Sequence, residues 1–529
     1  MDKKHLFNNQ IQKFDDNSKD ISRRRFIFSC SAYALCLTIA PATLIGCSRS
    51  SVNEKTKIRV IYLLRAEVKE QPGWPNLGFD FRPVMETINN ALTSKNIDFI
   101  PTLAKGLMDV EKIVAQDKLS NIGGYIVYQF DAWDRAILTI ALTEKPVLYV
   151  DFKYGGGGAF LAATSVFINS RFKWNFRNVG FVSSSRMDDM LAAVDYLNKV
   201  IRNGLTTEYS AETTKIRKSL TPVAEKYNPV VDKFKILSSK DCIYHLKYSK
   251  IIAVRDKKSE NSSPIMGIPL SYVPFSELNT AWNDADKDEA EIIAKRWQKT
   301  ALEVIDVSFE TLKSSAAMYL GMKSLLKTHE ADAITVDCLR GFYGKHIHAY
   351  PCLGFHELCN EGLVGGCECD LSSTATMLAF STLTHGRPGF ISDPVIDTSK
   401  RQIIYAHCVA SNKVFGPQGS ANPFKIMTHS EDRLGASVRS ILPVNYLTTT
   451  LKINNKRKEI LLHQAVTIDN DPDDRACRTK LCAAPLGDIE KLFTMWNEWG
   501  WHRVTFYGDL KPASYALADA IGWKVVEEA

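Results

Sequence analysis

The stretch GGCECDLSSTATMLAFSTLTHGRPGFISD, residues 365–393, joins a short apolar run to a helix-like run and then to a second apolar run. This pattern predicts a strand, a helix of about four turns and a second strand. Strands connected through a helix in this way run parallel, so we expect Glu368 and Asp393 to emerge at the same edge of one sheet. That edge is where α/β proteins bind their ligands.

The acids of this stretch lie beside Cys367 and Cys369, which leaves a metal or catalytic site, a disulfide and a helix cap as interpretations. Asp370 directly precedes the helix-like run and is best placed as its N-cap. Glu368 and Asp393 are the candidate metal or catalytic pair, because acids are seldom buried unless they are paired or bind a metal. Taken singly, each acid also fits a solvated loop residue.

Two histidines are further candidates, His407 in IIYAHCVA and His502 in WGWHRVTFYGD. The strand that carries His407 begins near residue 401, which is too soon after Asp393 for another parallel crossover. His407 therefore reaches the acids only if its strand joins a different sheet. Both histidines also fit structural roles, and the run HSED at 429–432 is a candidate for lining a pocket.

The rest of the chain also alternates between strand-like and helix-like runs. Apolar runs separated by helix-length segments predict a doubly wound parallel α/β domain over residues 57–203. Residues 204–400 are predicted to form a second α/β domain with a helical insert at 288–326. From residue 401 to 529 the pattern turns to strands with a closing helix, strand and helix. The expected fold is thus two Rossmann-like parallel α/β domains followed by a β-rich, barrel-like domain.

A glycine-rich segment, YGGGGAF at 154–160, follows a predicted strand, as phosphate-binding loops do. It lacks the GxGxxG spacing and an acidic residue about 20 positions later. The favoured interpretation is a loop that needs a positive φ and close backbone approach.

The N-terminal segment predicts export. SRRRF at 22–26 precedes a moderately apolar run and resembles a twin-arginine signal, so residues 1–47 are predicted to be a signal peptide. LIGC at 44–47 resembles a lipobox, which leaves lipidation of Cys47 or simple cleavage open. The expected partner is the twin-arginine translocation machinery, and the expected location is the periplasm, free or as an anchored lipoprotein.

Net charge and cysteine content limit the binding partners and the kinds of site that the chain is expected to have. The formal net charge of the 529 residues is +7, of which residues 1–47 contribute +3, and no long basic block follows. Nucleic acid is therefore not an expected partner. Nine of the twelve cysteines lie beyond the predicted signal, and some could pair in an oxidising compartment. They lack zinc-finger spacing.

CECDLSSTATMLAFSTLTHGRPGFISD and GWHRVTFYGDLKPASYALADAIGWKVV, at 367–393 and 500–526, resemble segments of the L-fucose isomerase and L-arabinose isomerase superfamily. The resemblance implies an L-fucose isomerase-like fold with Mn²⁺ or another divalent metal. It matches Glu368 and Asp393 to the two metal-binding acids that relay a proton, and His502 to the closing histidine. His407 lies where arabinose isomerases place another ligand.

The implied activity is aldose–ketose isomerisation of a small-molecule sugar outside the cytoplasm, with Glu368 and Asp393 as catalytic residues. The alternatives are a non-catalytic exported sugar-binding or surface protein on the same scaffold, and an oxidoreductase that binds a nucleotide at 154–160. Association into a homo-oligomer is left open. Departures from the family are the export signal, the flanking cysteines, and Arg503 where a second histidine often follows the first.

Overall fold

The computed structural model describes residues 57–95, 97–168 and 176–529. The predicted signal peptide and Cys47 lie outside the described residues. Within them, no helix combines the length and apolar character needed to cross a membrane. The described chain contains three main sheets and one small sheet.

The first sheet is wholly parallel, with strand order β2-β1-β3-β4-β5, as predicted for the N-terminal domain. Its strands are β1 (Lys57–Leu63), β2 (Asp98–Ala104), β3 (Ile122–Gln129), β4 (Val147–Asp151) and β5 (Val179–Val182). The helices of this region are α1 (Arg82–Thr93), α2 (Leu107–Asp117), α3 (Ala136–Ala141), α4 (Gly157–Ile168), α5 (Met187–Asn203) and α6 (Tyr209–Leu220). The central strands β3 and β4 are almost continuously buried, as parallel strands covered on both faces are.

The second sheet has the order β11-β10-β6-β8-β7 and is parallel except for the edge strand β7. Its strands are β6 (Ile251–Arg255), β7 (Glu260–Ile265), β8 (Ile268–Pro274), β10 (Ala333–Val336) and β11 (Val364–Gly366). The helices here are α7 (Ser239–Tyr248), α8 (Phe275–Asn283), α9 (Lys287–Thr300), α10 (Phe309–Thr328), α11 (Cys338–Tyr343), α12 (Cys352–Asn360) and α13 (Leu371–Leu383). The predicted helical insert corresponds to α9 and α10.

The C-terminal sheet closes into a six-stranded barrel, because β16 pairs with both β19 and β17. Its strands are β12 (Phe390–Asp397), β13 (Gln402–His407), β16 (Leu447–Asn454), β17 (Glu459–Asn470), β18 (Thr479–Pro485) and β19 (Arg503–Tyr507), and β20 (Lys524–Glu527) extends it beside β17. The helices are α14 (Trp496–Trp499) and α15 (Lys511–Ala520), and β9 (Glu303–Ile305), β14 (Phe424–Met427) and β15 (Ser437–Ser440) form the small sheet. Closure leaves the six strands without free edges.

The expectation that residues 365–393 form one βαβ unit is wrong. β11 lies at the edge of the second sheet, whereas β12 pairs antiparallel with β13 and β19 in the barrel. The C-terminal sheet therefore begins at residue 390, ahead of the boundary at 401 drawn from the sequence. The sequence does not separate the two outcomes, because the short run FISDPVID carries no signal of the strands with which it pairs.

The glycine-rich segment forms a tight loop before α4, as the favoured interpretation predicts. Gly157 has φ +48, a conformation that favours glycine. A Cβ on Gly158 would lie 2.0 Å from Trp501 Cε3, so only a bare backbone fits there. Trp133, which donates its Nε1–H to the Gly155 carbonyl, packs against Trp501 with ring centroids 5.9 Å apart. The loop thereby packs the first domain against the residue before His502.

Candidate metal centre

Four side chains predicted from the sequence lie together in the folded chain. Glu368, Asp393, His407 and His502 each offer one ligand atom, and these atoms all lie within 4.8 Å of one another. The two histidines are buried, while the carboxylates are 27% and 19% exposed, so the site opens to solvent through its acids. Within the described ranges this is the one cluster of its kind.

Three neighbouring barrel strands position three of these residues. Asp393 lies in the central strand β12, opposite Ala406 of β13 on one side, and Ser392 is opposite Arg503 of β19 on the other. His407 ends β13, and His502 directly precedes β19. Antiparallel pairing therefore brings together residues that are up to 109 positions apart.

Glu368 reaches the same point from the second sheet. It lies in the turn between β11 and α13, where Glu368 has φ +60 and Cys369 has φ +53. Two consecutive non-glycine residues in the left-handed region are costly and persist only where the surrounding structure holds them, which is frequent at functional sites. The Cys369 N–H donates to the Val336 carbonyl at 3.0 Å and fixes the turn to the end of β10.

Asp370 is the N-cap of α13, as predicted, since its Oδ1 accepts from the Ser373 N–H at 2.9 Å. Asp370 also contacts two side chains outside the helix. Its Oδ2 lies 3.0 Å from His502 Nδ1 and accepts from Lys452 Nζ at 2.6 Å. Burial alone would raise the pKa of Asp370, but Lys452 and His502 outweigh it and hold this pKa well below its usual range.

The contact with Asp370 orients His502 for metal binding. A proton on Nδ1 directed at the carboxylate leaves the lone pair of Nε2 free. Nε2 lies 3.6 Å from Glu368 Oε2 and 3.4 Å from Asp393 Oδ1. Ligand atoms about 2.1 Å from one ion are about 3 Å apart when they subtend a right angle, so these separations suit a shared cation.

His407 has a different environment. Burial lowers its pKa to about 4, so the ring is neutral at pH 7. Its Nε2 has no hydrogen-bond partner among the described residues, although it lies 3.6 Å from Glu368 Oε1. Its Nδ1 accepts from the Cys408 N–H at 3.0 Å. This nitrogen therefore faces a donor, whereas Nδ1 of His502 faces the Asp370 carboxylate. The backbone donor favours the tautomer with the proton on Nε2.

The charges of the cluster fit a divalent cation. Burial and the carboxylate of Asp393 raise the pKa of Glu368 well above the ordinary glutamate value. Two carboxylates this close repel each other unless a proton or a cation lies between them. Oxygen ligands with one or two imidazoles suit Mn²⁺, and also zinc or iron. The two carboxylates and Nε2 of His502 form a donor set that fits a metal ion, and Nε2 of His407 lies beside them.

Two features near the centre correct or extend the sequence analysis. All nine cysteines of the described residues are free thiols, and Cys338 Sγ lies 3.3 Å from Cys367 Sγ. Residues 429–432 are buried nearby, where His429 Nδ1 contacts Asp432 Oδ1 at 3.1 Å. Burial opposes the charge of His429, but Asp432 outweighs it and the pKa of His429 rises to about 9.

Sequence reasoning missed Lys452, which is 3% exposed and holds Asp370. A lysine within a strand carries no local signal of such a role.

Comparisons with known proteins give one informative likeness. A stretch of 115 residues, 22% of this chain, is 28% identical to proteins called sulfoquinovose isomerase from Priestia aryabhattai and Priestia megaterium. The match spans 24% of the length of those relatives. The chain is similar, over that part, to a sugar isomerase.

The other comparisons add little. No family model matches the chain. Two solved structures, of the XylFII molecule and of the XylFII-LytSN complex, share 13% identity over 56% of this chain and 87% and 86% of theirs. Their TM-score of 0.15 is too low to support an argument about the fold.

Proposed function

We propose that this chain is a metal-dependent aldose–ketose isomerase with an L-fucose isomerase-like fold. The observation that carries the proposal is the convergence of Glu368, Asp393, His407 and His502 from two separate sheets onto one point. The likeness to sulfoquinovose isomerases over 115 residues supports the same class of reaction. Mn²⁺ is the proposed ion, held by the two carboxylates and His502, with His407 alongside.

The two carboxylates divide the proton transfers. A bound divalent cation would polarise the sugar carbonyl. One carboxylate accepts the proton from C2 of the open-chain aldose, and the other returns a proton to C1 across the cis-enediol, while the hydroxyl proton moves from O2 to O1. The raised pKa of Glu368 means that its surroundings oppose the charged form, a property that suits a group that gives and takes a proton.

His407 and Asp370 support this chemistry. With its proton on Nε2, neutral His407 is placed to donate a hydrogen bond to a sugar oxygen bound in the centre. Asp370 keeps His502 in the tautomer that a ligand requires. The non-catalytic alternative, a sugar-binding protein on the same scaffold, needs neither the strained turn at Glu368 nor the raised pKa.

We further propose that the chain is exported through the twin-arginine pathway. The motif at residues 22–26 supports this proposal. Twin-arginine export moves folded proteins, so a metal centre assembled in the cytoplasm would reach its destination intact.

Metal analysis of the purified mature protein, joined to a panel of aldoses followed for ketose formation, tests the proposed activity. We expect one divalent ion per chain and ketose formation that chelation abolishes and Mn²⁺ restores. Sugar binding without any turnover in the metal-loaded protein would favour the non-catalytic alternative. Absence of a stoichiometric metal would contradict both the centre and the reaction.

A further inference from the structure

The second sheet has its topological switch point between β6 and β10. From β6 the chain continues to β8 on one side, and later returns to β10 and β11 on the other. In open α/β sheets, ligands bind beyond the carboxyl ends of the strands at such a point. Arg255 is the last residue of β6, and Asp337 directly follows β10. The proposed isomerase chemistry assigns no role to this edge of the sheet.

Two arginines converge there with unfilled hydrogen-bonding capacity. Arg255 Nη2 lies 3.8 Å and Arg340 Nε lies 3.4 Å from the same oxygen, Oδ2 of Asp337. These are ion pairs at distances longer than ordinary hydrogen bonds. Neither guanidinium makes a side-chain hydrogen bond to the described residues, although each has five N–H donors.

Neighbouring acids offset the charge of the two arginines. Asp337 faces both guanidinium groups, and Asp256, which directly follows β6, is a second acid near Asp337. The unfilled N–H donors, and not a net charge, are therefore what this site offers a ligand. The arginine side chains are 17% and 25% exposed, so they are shielded from bulk solvent but accessible to a ligand. Planar guanidinium groups bind sulfonate and phosphate oxygens in pairs, more specifically than lysines do.

This edge of the second sheet continues directly to the metal centre. The Asp337 N–H donates to the Val254 carbonyl at 2.9 Å, and the Cys369 N–H donates to the Val336 carbonyl at 3.0 Å. The end of β6, the end of β10 and the turn with Glu368 are therefore consecutive along one edge. With about 4.8 Å between neighbours, the backbone of Arg255 is about 10 Å from that turn. An arginine side chain and a hexose chain together span this distance.

We propose that Arg255 and Arg340 form a subsite for a terminal oxyanion, a sulfonate or phosphate group, on the sugar whose other end is isomerised at Glu368 and Asp393. The inference rests on the proposed function for the identity of the reacting end. It makes the preferred substrate class an anionic sugar. A neutral sugar leaves the guanidinium donors unsatisfied.

The test uses the metal-loaded protein and three sugars: glucose, glucose 6-phosphate and 6-deoxy-6-sulfoglucose. Binding is measured by calorimetry and ketose formation by steady-state kinetics, for the native chain, Arg255→Gln and Arg340→Gln. Arg82→Gln is the matched control, because Arg82 is an exposed arginine paired with Asp80 in the first domain. The two anionic sugars distinguish a sulfonate from a phosphate site.

We expect one anionic sugar to bind the native protein more tightly than glucose. Arg255→Gln and Arg340→Gln should each raise the Kd and KM of that anionic sugar about 10- to 100-fold, the effect of losing a charged hydrogen-bonding partner. The Kd and KM of glucose, and all values for Arg82→Gln, should stay unchanged. Equal binding of all three sugars to the native protein would overturn the subsite. An equal loss of affinity for all three sugars in the arginine variants would also overturn it. Turnover of glucose without any preference for the anionic sugars would overturn the subsite and leave the isomerase proposal intact. Arginine-dependent binding of an anionic sugar without turnover would support the subsite and contradict the isomerase.

Discussion

His502 Nδ1 lies 3.0 Å from Asp370 Oδ2, and this contact joins the helix cap of α13 to the metal centre. The same carboxylate oxygen accepts from the buried Lys452. Asp370 is thus both a structural cap and the residue that orients a candidate ligand. A substitution at Asp370 should therefore weaken metal binding, whereas a substitution at a ligand should abolish it.

Glu368→Gln and Asp393→Asn should each abolish stoichiometric metal binding, because each removes a negative charge and weakens a coordinating oxygen. Asp370→Asn should keep the stoichiometry but weaken affinity about 10- to 100-fold, as loss of a supporting partner does. Metal titration with a competing chelator measures the difference. Asp286→Asn, which alters the N-cap of α9 far along the chain, is the control and should bind metal normally. Equal losses in Glu368→Gln and Asp370→Asn would contradict the distinction between ligand and support.

His502→Ala should lose more metal affinity than His407→Ala. His502 has the acceptor that a ligand histidine requires, whereas His407 receives a backbone N–H at its second nitrogen. Metal stoichiometry and melting temperature of both variants give the answer. His356→Ala is the control, since this buried histidine contacts the Ala410 carbonyl instead of the centre and should lose stability with metal retained. Full metal content in His502→Ala would make that residue purely structural.

Gly158→Ala should disturb the centre indirectly. The added Cβ would lie 2.0 Å from the Trp501 ring, so Trp501 must move, and with it the neighbouring His502. Overpacking of this kind costs about 1–3 kcal/mol of unfolding free energy. We expect weaker metal binding as well, measured beside the melting temperature. Gly204→Ala, at a helix end with φ +69 and open space around it, should lose stability without changing metal affinity.

Glu528 should make stability depend on pH. Burial opposes its charge, but Arg503 and His463 outweigh it and lower the pKa of Glu528 to about 2. Because the unfolded value is about 4.3, the stabilisation is complete above that pH and is lost as pH falls through about 2. The difference corresponds to about 3 kcal/mol of unfolding free energy.

Glu528→Gln should remove this acid dependence and destabilise the protein by about 3–5 kcal/mol at neutral pH, because Arg503 is left buried without its partner. Denaturant unfolding at several pH values measures both effects. Glu527→Gln is the control, since its pairing with Lys511 is exposed and should contribute about 0–1 kcal/mol. Identical pH profiles for native protein and Glu528→Gln would contradict the assignment.

Replacing Arg23 and Arg24 by Lys should leave the protein in the cytoplasm with its signal attached, because the paired arginines are what the export machinery reads. Cell fractionation and immunoblotting show the location. Unchanged export in a strain without twin-arginine translocation would contradict the prediction. Separately, Cys47→Ala should abolish lipid labelling, and absence of label on the native protein would mean that the lipobox match is coincidental.

The sequence by itself determined the parallel first domain, the cap at Asp370 and the four candidate residues of the centre. These follow from local periodicity, capping chemistry and motif likeness, which are properties of short segments. Tertiary structure alone decided how the four residues meet. β12 closes a barrel with β13 and β19 instead of returning to the second sheet, because the sequence of one short strand does not specify its pairing partners. The roles of Lys452, the His407 tautomer and the pair Arg255 and Arg340 likewise depend on contacts between distant segments.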